Sequence, residues 1–366
     1  MIIKLNEVDK GEALKILKIK DSNISDVELI NILLSEEVNN VNHDELRDNL
    51  KEEDAMFLAL LKKAEVDKKD PLLKEVIENN KVNVLKCLNK EDYINDEFIK
   101  CIKNSSKKNG DWILTTLSYK PYEIFVYDEI DVKNDYFNEI VPIGYFKEEF
   151  PYFAVIQDEL IWMSVIPHEI NTMKKPINDA YGDVLVLGLG LGYYAFHVSN
   201  KEDVDKVTII EKDKKVISLF KENILPYFPN KDKIRIIEDD AFNYLNENHS
   251  HDFVFCDIYH NVSDGIGLYL KTKYFENIMT NSRFEYWIET SLLSMMRRQL
   301  LTVFEEQYLE GLTEKDYLKA KNENDVIINK MYFYTKDLLI DSIDKLKAIL
   351  QEDYLKEMAK KLFYKD

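Results

Sequence analysis

The sequence predicts an α/β protein built around a doubly wound parallel sheet, and three observations lead to this fold class. From residue 184 onward, short apolar runs alternate with helical stretches, as in parallel sheets covered by helices on both faces. The first run leads directly into three alternating glycines, in VLVLGLGLG. Acidic residues follow the second and third runs, VTIIE and IRIIEDD, at the edge where such sheets bind ligands.

Five apolar runs are the predicted strands, and the spacing between neighbours leaves room for one helix each. They span residues 184–187, 206–210, 234–237, 253–256 and 284–289. Residues 291–311 predict a long helix that ends at Gly311, a common helix stop. The segment 326–334 is β-like in composition, but nothing in the sequence assigns it to the sheet.

The regions on either side of this sheet have other periodicities. Residues 9–119 carry apolar side chains at helical spacing, and Asp70 with Pro71 resembles a helix N-cap and first turn. Residues 121–164 are rich in short β-type runs. We therefore predict a helical N-terminal domain, a small β-rich unit, the sheet domain and a helical C-terminal extension, at residues 1–120, 121–170, 171–311 and 312–366.

Composition excludes several classes of function. The chain has 366 residues, of which 45% are hydrophobic and 32% charged, as in a globular protein with a sizeable core. Its 68 acidic and 49 basic residues give a formal charge of −19, which repels phosphate backbones and anionic lipids. We expect neither a nucleic-acid nor a membrane partner. The three cysteines are too irregularly spaced for a disulfide framework or a metal site, which favours a cytoplasmic location without a metal.

The glycine string suits a nucleoside ligand, because a backbone without Cβ atoms lets a ligand approach closely. Gly188, Gly190 and Gly192 therefore become candidate binding residues. Tyr193 stands where the dinucleotide fingerprint requires its third glycine. No Lys-Ser/Thr pair follows Gly192, so a phosphate-binding P-loop is not indicated. A glycine-rich turn without any ligand is the alternative.

Two acidic positions add to this interpretation. Glu211 ends the second strand, where a carboxylate can accept hydrogen bonds from a ribose diol, although strand-end acids also merely cap turns. Asp239 and Asp240 end the third strand, and Ala241 opens a short helix. One of these aspartates can accept from an adenine amino group while the other caps the helix.

The fourth strand leads into the best candidate for catalysis, the segment DIYHN. Asp257, Tyr259, His260 and Asn261 lie there, in the crevice where α/β sheets place ligands. His260 could serve as a base, while Asp257 could orient it or a substrate amine. A loop histidine with ordinary packing is the alternative.

Taken in order, these motifs resemble the class I S-adenosylmethionine (SAM)-dependent methyltransferases, which have a Rossmann-like fold, and within them the spermidine synthase-like branch. VLVLGLGLG is similar to the branch's VLVIGGGDG string, VTIIEKD to its second-strand acid motif and EDDAFNYL to its GDAxxFL motif. The resemblance covers residues 144–289. It implies that the glycines line the methionine and ribose region, that Glu211 holds the ribose hydroxyls and that Asp240 contacts adenine.

The chain also departs from this branch. Leu191 stands where the branch's glycine loop carries an acid, and His260 takes the second position of the acidic DxxD pair that Asp257 begins. Upstream, GYFKEEFPYFAVIQDELIWMSVIPHEINTMKKPI resembles the hairpin and approach helix of the branch. By that match four side chains face the active site: Met163, Ser164, His168 and Glu169. His168 also has a plain interpretation as a surface residue at a helix start.

Because of these departures, the sequence favours methyl transfer from SAM, as cofactor, to a small-molecule acceptor that it does not identify. Asp257 and His260 are the predicted catalytic residues, and Asp257 also belongs to the predicted cofactor site. An aminopropyltransferase-like enzyme using a SAM derivative is the first alternative. A non-catalytic SAM-fold interaction protein is the second, and the oligomeric state, including a homo-oligomer, stays open.

Overall fold

The computed structural model describes residues 1–35, 51–65, 85–103, 106–247, 249–319 and 323–363. Its N-terminal region is mainly helical and contains two short strands. Asn6 caps the first helix by accepting hydrogen bonds from the backbone N–H groups of Val8 and Asp9. The elements are β1 (Ile2–Ile3), α1 (Glu7–Leu34), α2 (Glu52–Lys63), β2 (Leu85–Cys87), α3 (Glu91–Ile94) and α4 (Glu97–Cys101).

The helical prediction for residues 9–119 is confirmed for α1 and α2, and it is wrong toward its end. Leu85–Cys87 form a strand because they pair in parallel with a distant strand at Ile143–Tyr145, and long-range pairing overrides local helical spacing. The predicted cap at Asp70 and Pro71 lies outside the described residues.

The β-rich unit begins at Lys107, earlier than the sequence predicts, because Trp112–Tyr119 pair with a long later strand rather than continuing a helix. Asp158 and Glu159, both with positive φ, form the two-residue turn of the last hairpin. The strands are β3 (Lys107–Asn109), β4 (Trp112–Tyr119), β5 (Ile124–Val126), β6 (Asp131–Lys133), β7 (Asn138–Ile140), β8 (Ile143–Tyr145), β9 (Phe150–Gln157) and β10 (Leu160–Ser164). Their main sheet is antiparallel, in the order β10-β9-β4-β3.

The central domain is a five-stranded parallel sheet with helices between its strands, so the predicted α/β class is confirmed. It contains α5 (Pro167–Asp179), β11 (Gly182–Leu187), α6 (Tyr193–Ser199), β12 (Val204–Glu211), α7 (Lys214–Asn223), β13 (Ile234–Glu238), α8 (Ala241–Asn246), β14 (Phe253–Cys256), α9 (Val262–Phe275) and β15 (Arg283–Tyr286). The strand order is β13-β12-β11-β14-β15. The order reverses between β11 and β14, which is where such sheets bind ligands.

The C-terminal region is helical and packs onto the sheet domain. It consists of α10 (Glu289–Glu305), a π-helical turn (Glu306–Glu310), α11 (Glu314–Tyr317), α12 (Glu323–Thr335), β16 (Leu339–Ile340), α13 (Ile343–Ile349) and α14 (Glu352–Leu362). Gly311, with φ of 71°, ends the long helix as predicted. The β-like segment 326–334 is helical in the structure, since Ile327, Met331 and Thr335 recur every four residues and are buried on one face. Strand β16 pairs with β1 instead.

Gly188 provides a test of the turn that follows β11. Its φ is 95°, and a Cβ at this position would collide with the backbone carbonyl of Asp257. We therefore expect Gly188→Ala to lower the free energy of unfolding by more than about 1–2 kcal/mol, the cost of the left-handed backbone alone. Urea unfolding followed by circular dichroism measures this change.

The control is Gly267→Ala in α9, where an added Cβ meets no atom within 4 Å. This variant should gain about 0.5–1 kcal/mol, because alanine stabilises a helix interior. Wild-type stability of Gly188→Ala would mean that the close approach of the two segments is not needed for folding.

Candidate active site

A cleft of about 460 Å³ opens at the carboxyl ends of the central strands, over the point where strand order reverses. The residues predicted from sequence converge there from four separate strand ends. The lining includes Gly188, Gly190, Glu211, Asp239, Asp240, Ala241, Asp257 and His260. Gly192 is the exception, because it lies beneath the turn, where a Cβ would meet the ring of Phe220.

The glycine turn forms one wall of this cleft. The backbone N–H of Gly188 donates to the carbonyl of Ile210 at 2.9 Å, and that of Gly192 donates to Leu189 at 2.9 Å. The space directly above Gly190 is filled by the thioether of Met163, from β10. The hairpin therefore closes over the turn and separates the cleft from a smaller neighbouring cavity.

Glu211 both faces the cleft and braces the glycine turn. Its Oε2 accepts from the backbone N–H of Leu189 at 3.2 Å, and its Oε1 accepts from that of Asp213 at 2.8 Å. Burial raises the pKa of this carboxyl group. A carboxylate oxygen can accept more than one hydrogen bond, so the predicted contact with a ribose diol is compatible with this bracing and stays a prediction.

The two aspartates after β13, Asp239 and Asp240, make different hydrogen bonds. Asp240 caps α8, because its Oδ1 accepts from the backbone N–H groups of Phe242 at 2.9 Å and Asn243 at 3.2 Å. Asp239 accepts from the backbone N–H of Asp240 at 2.7 Å. The capping residue that the sequence left open is thus Asp240. Both side chains line the cleft with Ala241, and the adenine contact of Asp240 stays a prediction.

Asp257 and Glu169 form an acidic pair at the inner end of the cleft, in which Glu169 is buried and Asp257 is half-buried. Asp257 follows β14, and Glu169 is the third residue of α5. Both line a second cavity of about 160 Å³ that adjoins the cleft. Burial raises the pKa of both carboxyl groups, and the charge of Asp257 raises that of Glu169 further. The Oε2 of Glu169 is buried and accepts no hydrogen bond from the described residues.

His260 borders both the cleft and the second cavity. Its Nδ1 lies 2.9 Å from Oδ2 of Asp264, and its ring centroid is 3.8 Å from that of Trp162. Asn261, by contrast, has a structural role as the capping-box residue of α9. The pairing with Asp264 engages Nδ1 of His260, and Nε2 is the ring nitrogen that could transfer a proton. The catalytic role of His260 stays a prediction.

The β-rich unit contributes aromatic walls that the sequence analysis missed. Trp112 donates from Nε1 to Oδ2 of Asp213 at 2.9 Å, which ties β4 to the central domain, and its ring lies 5.6 Å from that of Trp162. Trp287, after β15, lines the second cavity. No local motif marks these tryptophans, since they reach the site through the packing of one sheet against another.

The hairpin and approach helix meet the site largely as the resemblance implies. Met163, Ser164 and Glu169 line the second cavity. His168 lies outside the lining, at the start of α5, and packs edge-on against Trp287 at 5.9 Å. Burial lowers the pKa of His168 to about 4, so its ring is neutral rather than a charged surface group.

The charges around the cleft are mostly negative. Lys212 is the one basic residue among the described lining residues, and five acidic residues line the cleft: Glu211, Asp213, Asp239, Asp240 and Asp257. Such a lining attracts a cationic nucleoside and repels the pyrophosphate of a dinucleotide.

The fold is an α/β domain with a cleft at the carboxyl ends of its parallel strands. Residues 163–283, about a third of the chain, match the family model of the spermine/spermidine synthase domain. This match supports the spermidine synthase-like branch of the resemblance. The sequence matches no curated protein.

Two spermidine synthases are among the similar solved structures. The enzyme from Thermotoga maritima has 13% identity and a TM-score of 0.30, with 41% of this chain and 59% of that chain covered. A spermidine synthase in complex with the transition-state analogue AdoDATO has 16% identity and a TM-score of 0.30, with 41% and 58% covered. The chain thus spans less than two thirds of the length of either structure.

The described residues contain neither a candidate membrane span nor a candidate metal site. No helix in them has both the length and the apolar content that a membrane span requires. No group of three or more His, Cys, Asp or Glu side chains in these ranges is arranged to hold a metal ion.

The role of Glu211 can be tested by replacing its carboxylate with an amide. We expect Glu211→Gln to weaken binding of 5′-methylthioadenosine by about 1.5–3 kcal/mol, the range for a hydrogen bond to a charged group. This equals a loss of affinity on the order of tenfold or more, measurable by isothermal titration calorimetry. Glu222→Gln, on the exposed face of α7, is the matched control. An unchanged dissociation constant for Glu211→Gln would mean that Glu211 stabilises the glycine turn and does not contact the nucleoside.

Proposed function

We propose that this chain is a transferase of the aminopropyltransferase type, with decarboxylated SAM as its donor. The family match over residues 163–283 and the acidic pair at the inner end of the cleft support this proposal. Both observations favour an aminopropyltransferase-like enzyme, the first alternative of the sequence analysis, over a methyltransferase. The argument against that alternative was His260 in place of a second acid, but Glu169 brings a second acid to the site from α5.

The acidic pair carries the proposal, because it discriminates between the two donors. SAM ends in an ammonium and a carboxylate, whereas decarboxylated SAM ends in an ammonium alone. No Lys or Arg is among the described residues that line the second cavity. The carboxylate of SAM would therefore face Asp257 and Glu169 without a compensating cation, and like charges in a buried site repel strongly.

Aminopropyl transfer requires mainly that the donor and the acceptor are held in the right orientation in a pocket from which water is excluded. The lone pair of an acceptor nitrogen attacks the methylene carbon next to the sulfonium and forms a C–N bond. The C–S bond breaks, and its electron pair stays on sulfur, which becomes a neutral thioether. The glycine turn and Glu211 would hold the nucleoside in place, and a carboxylate of the acidic pair would receive the proton that the acceptor nitrogen loses.

Donor preference tests the proposal directly. We expect decarboxylated SAM to bind at least about tenfold more tightly than SAM, a difference of about 1.4 kcal/mol, with NAD binding far more weakly than either. Calorimetric titration of the full chain with each compound measures this order. Tighter binding of SAM would support the methyltransferase alternative, and failure of both SAM compounds at millimolar concentration would overturn the proposal.

The role of Asp257 can be separated from general nucleoside binding. Asp257→Asn keeps the shape of the side chain and removes its charge, so we expect affinity for decarboxylated SAM to fall by on the order of tenfold. Affinity for 5′-methylthioadenosine, which carries no ammonium, should change little. Asp232→Asn, at an exposed position before β13, is the control. Equal losses for both ligands would show that Asp257 supports the fold of the site rather than the donor's ammonium.

A further inference from the structure

We infer that Trp112 is a positioning residue for the ribose of the donor, and that it acts through Asp213 and Glu211 rather than by touching the nucleoside. This inference rests on the proposed function, because it requires a nucleoside in the cleft. It deepens that function by naming the group that orients the ribose-binding carboxylate.

A chain of three hydrogen bonds links the β-rich unit to the glycine turn. The indole N–H of Trp112 donates to Oδ2 of Asp213 at 2.9 Å, and the backbone N–H of Asp213 donates to Oε1 of Glu211 at 2.8 Å. Oε2 of Glu211 accepts in turn from the backbone N–H of Leu189 at 3.2 Å. All four residues line the cleft. Each oxygen of Glu211 is therefore held by a backbone N–H, and one of these contacts depends on where Asp213 lies.

Asp213 uses its two carboxylate oxygens for different partners. Oδ1 caps α7, because it accepts from the backbone N–H groups of Lys215 at 2.7 Å and Val216 at 3.4 Å. Oδ2 accepts from Trp112, which belongs to β4. The loop of residues 211–213 is thus held to the helix on one side and to the β-rich unit on the other. This double attachment keeps the backbone N–H of Asp213 directed at Glu211.

The other contacts between the β3–β4 turn and α7 are more exposed. Lys215 pairs with Asp111 at 2.6 Å, but the lysine side chain is 50% exposed, and Asn109 donates to the carbonyl of Lys215 at 3.3 Å. Exposed ion pairs contribute little, because water screens them and the side chains lose freedom. Trp112 is only 6% exposed, and its hydrogen bond goes to a charged group, which is among the stronger kinds. Among these contacts, the bond from Trp112 therefore does most to fix the loop.

A direct contact between the ring of Trp112 and the nucleoside is the competing interpretation, since this residue lines the cleft. The two roles make different demands on the ligand. A ring that stacks on the base treats ribose and dideoxyribose nucleosides alike, whereas a residue that acts through Glu211 matters only when ribose hydroxyls are present. Trp112→Phe keeps an aromatic surface and removes the N–H donor, so this variant separates the two roles.

The test compares 5′-methylthioadenosine with its 2′,3′-dideoxy analogue on the full chain. We expect Trp112→Phe to weaken binding of 5′-methylthioadenosine by about three- to tenfold in calorimetric titration, and to change the affinity for the dideoxy analogue by less than about twofold. Equal losses for both compounds, or an unchanged affinity for 5′-methylthioadenosine, would overturn the inference. Failure of 5′-methylthioadenosine to bind the wild-type chain would instead overturn the proposed function.

A double variant shows whether the effect passes through Glu211. Trp112→Phe combined with Glu211→Gln should bind 5′-methylthioadenosine within about twofold of Glu211→Gln alone, because the effects of residues in one hydrogen-bond network do not add. Additive losses would contradict the inference. This comparison also decides the matter if the dideoxy analogue binds too weakly to be measured.

Asp213→Asn tests the same hydrogen bond from its other end, and it decides if Trp112→Phe does not fold. Asparagine is also a good helix cap, and its one oxygen can replace Oδ1, but its amide group cannot accept from the indole N–H. We expect the same ribose-dependent loss of affinity as for Trp112→Phe. Glu222→Gln, on the exposed face of α7, is the control and should bind as the wild type does. Wild-type affinity in Asp213→Asn would refute the role of this bond.

Discussion

The site is built on the close approach of two backbone segments, the glycine turn after β11 and the loop after β14. Gly188 lies so near the carbonyl of Asp257 that no Cβ fits between them. The backbone N–H of Asp257 donates in turn to the carbonyl of Leu187 at 2.9 Å. These contacts place the Asp257 side chain beside the end of β11, where the cleft and the second cavity meet.

A second constraint is the burial of Glu169 beside Asp257, with no lysine or arginine among the described residues that line their cavity. Desolvation raises the pKa of Asp257 and Glu169, so the pair is poised to exchange a proton or to bind a cation. Such a pair is unfavourable for folding when it is ionised and unpartnered. Acids whose pKa is raised by burial beside a cleft are candidates for a functional site, because burial and a neighbouring charge are the means by which proteins tune such groups.

The β-rich unit gives the cleft its outer wall. The hydrogen bond from Trp112 to Asp213 fixes β4 against the start of α7, and the β9–β10 hairpin places Met163 over Gly190. The unit thereby contributes Met163 to the boundary between the cleft and the smaller second cavity, since this residue lines both.

The sequence by itself determined the central fold and the residues at the strand ends. Strand periodicity and the glycine string are local signals, and parallel strands necessarily bring their carboxyl ends to one edge, so Glu211, Asp239, Asp240 and Asp257 were found without a structure. It did not determine the strands at Leu85–Cys87 and Trp112–Tyr119 or the helix over 326–334, because distant partners decide those conformations. Only the tertiary structure decided that Asp240 is a helix cap and that Glu169 joins Asp257. Capping and burial depend on which groups meet in space, and residues 88 positions apart in the chain carry no local signal of such a meeting.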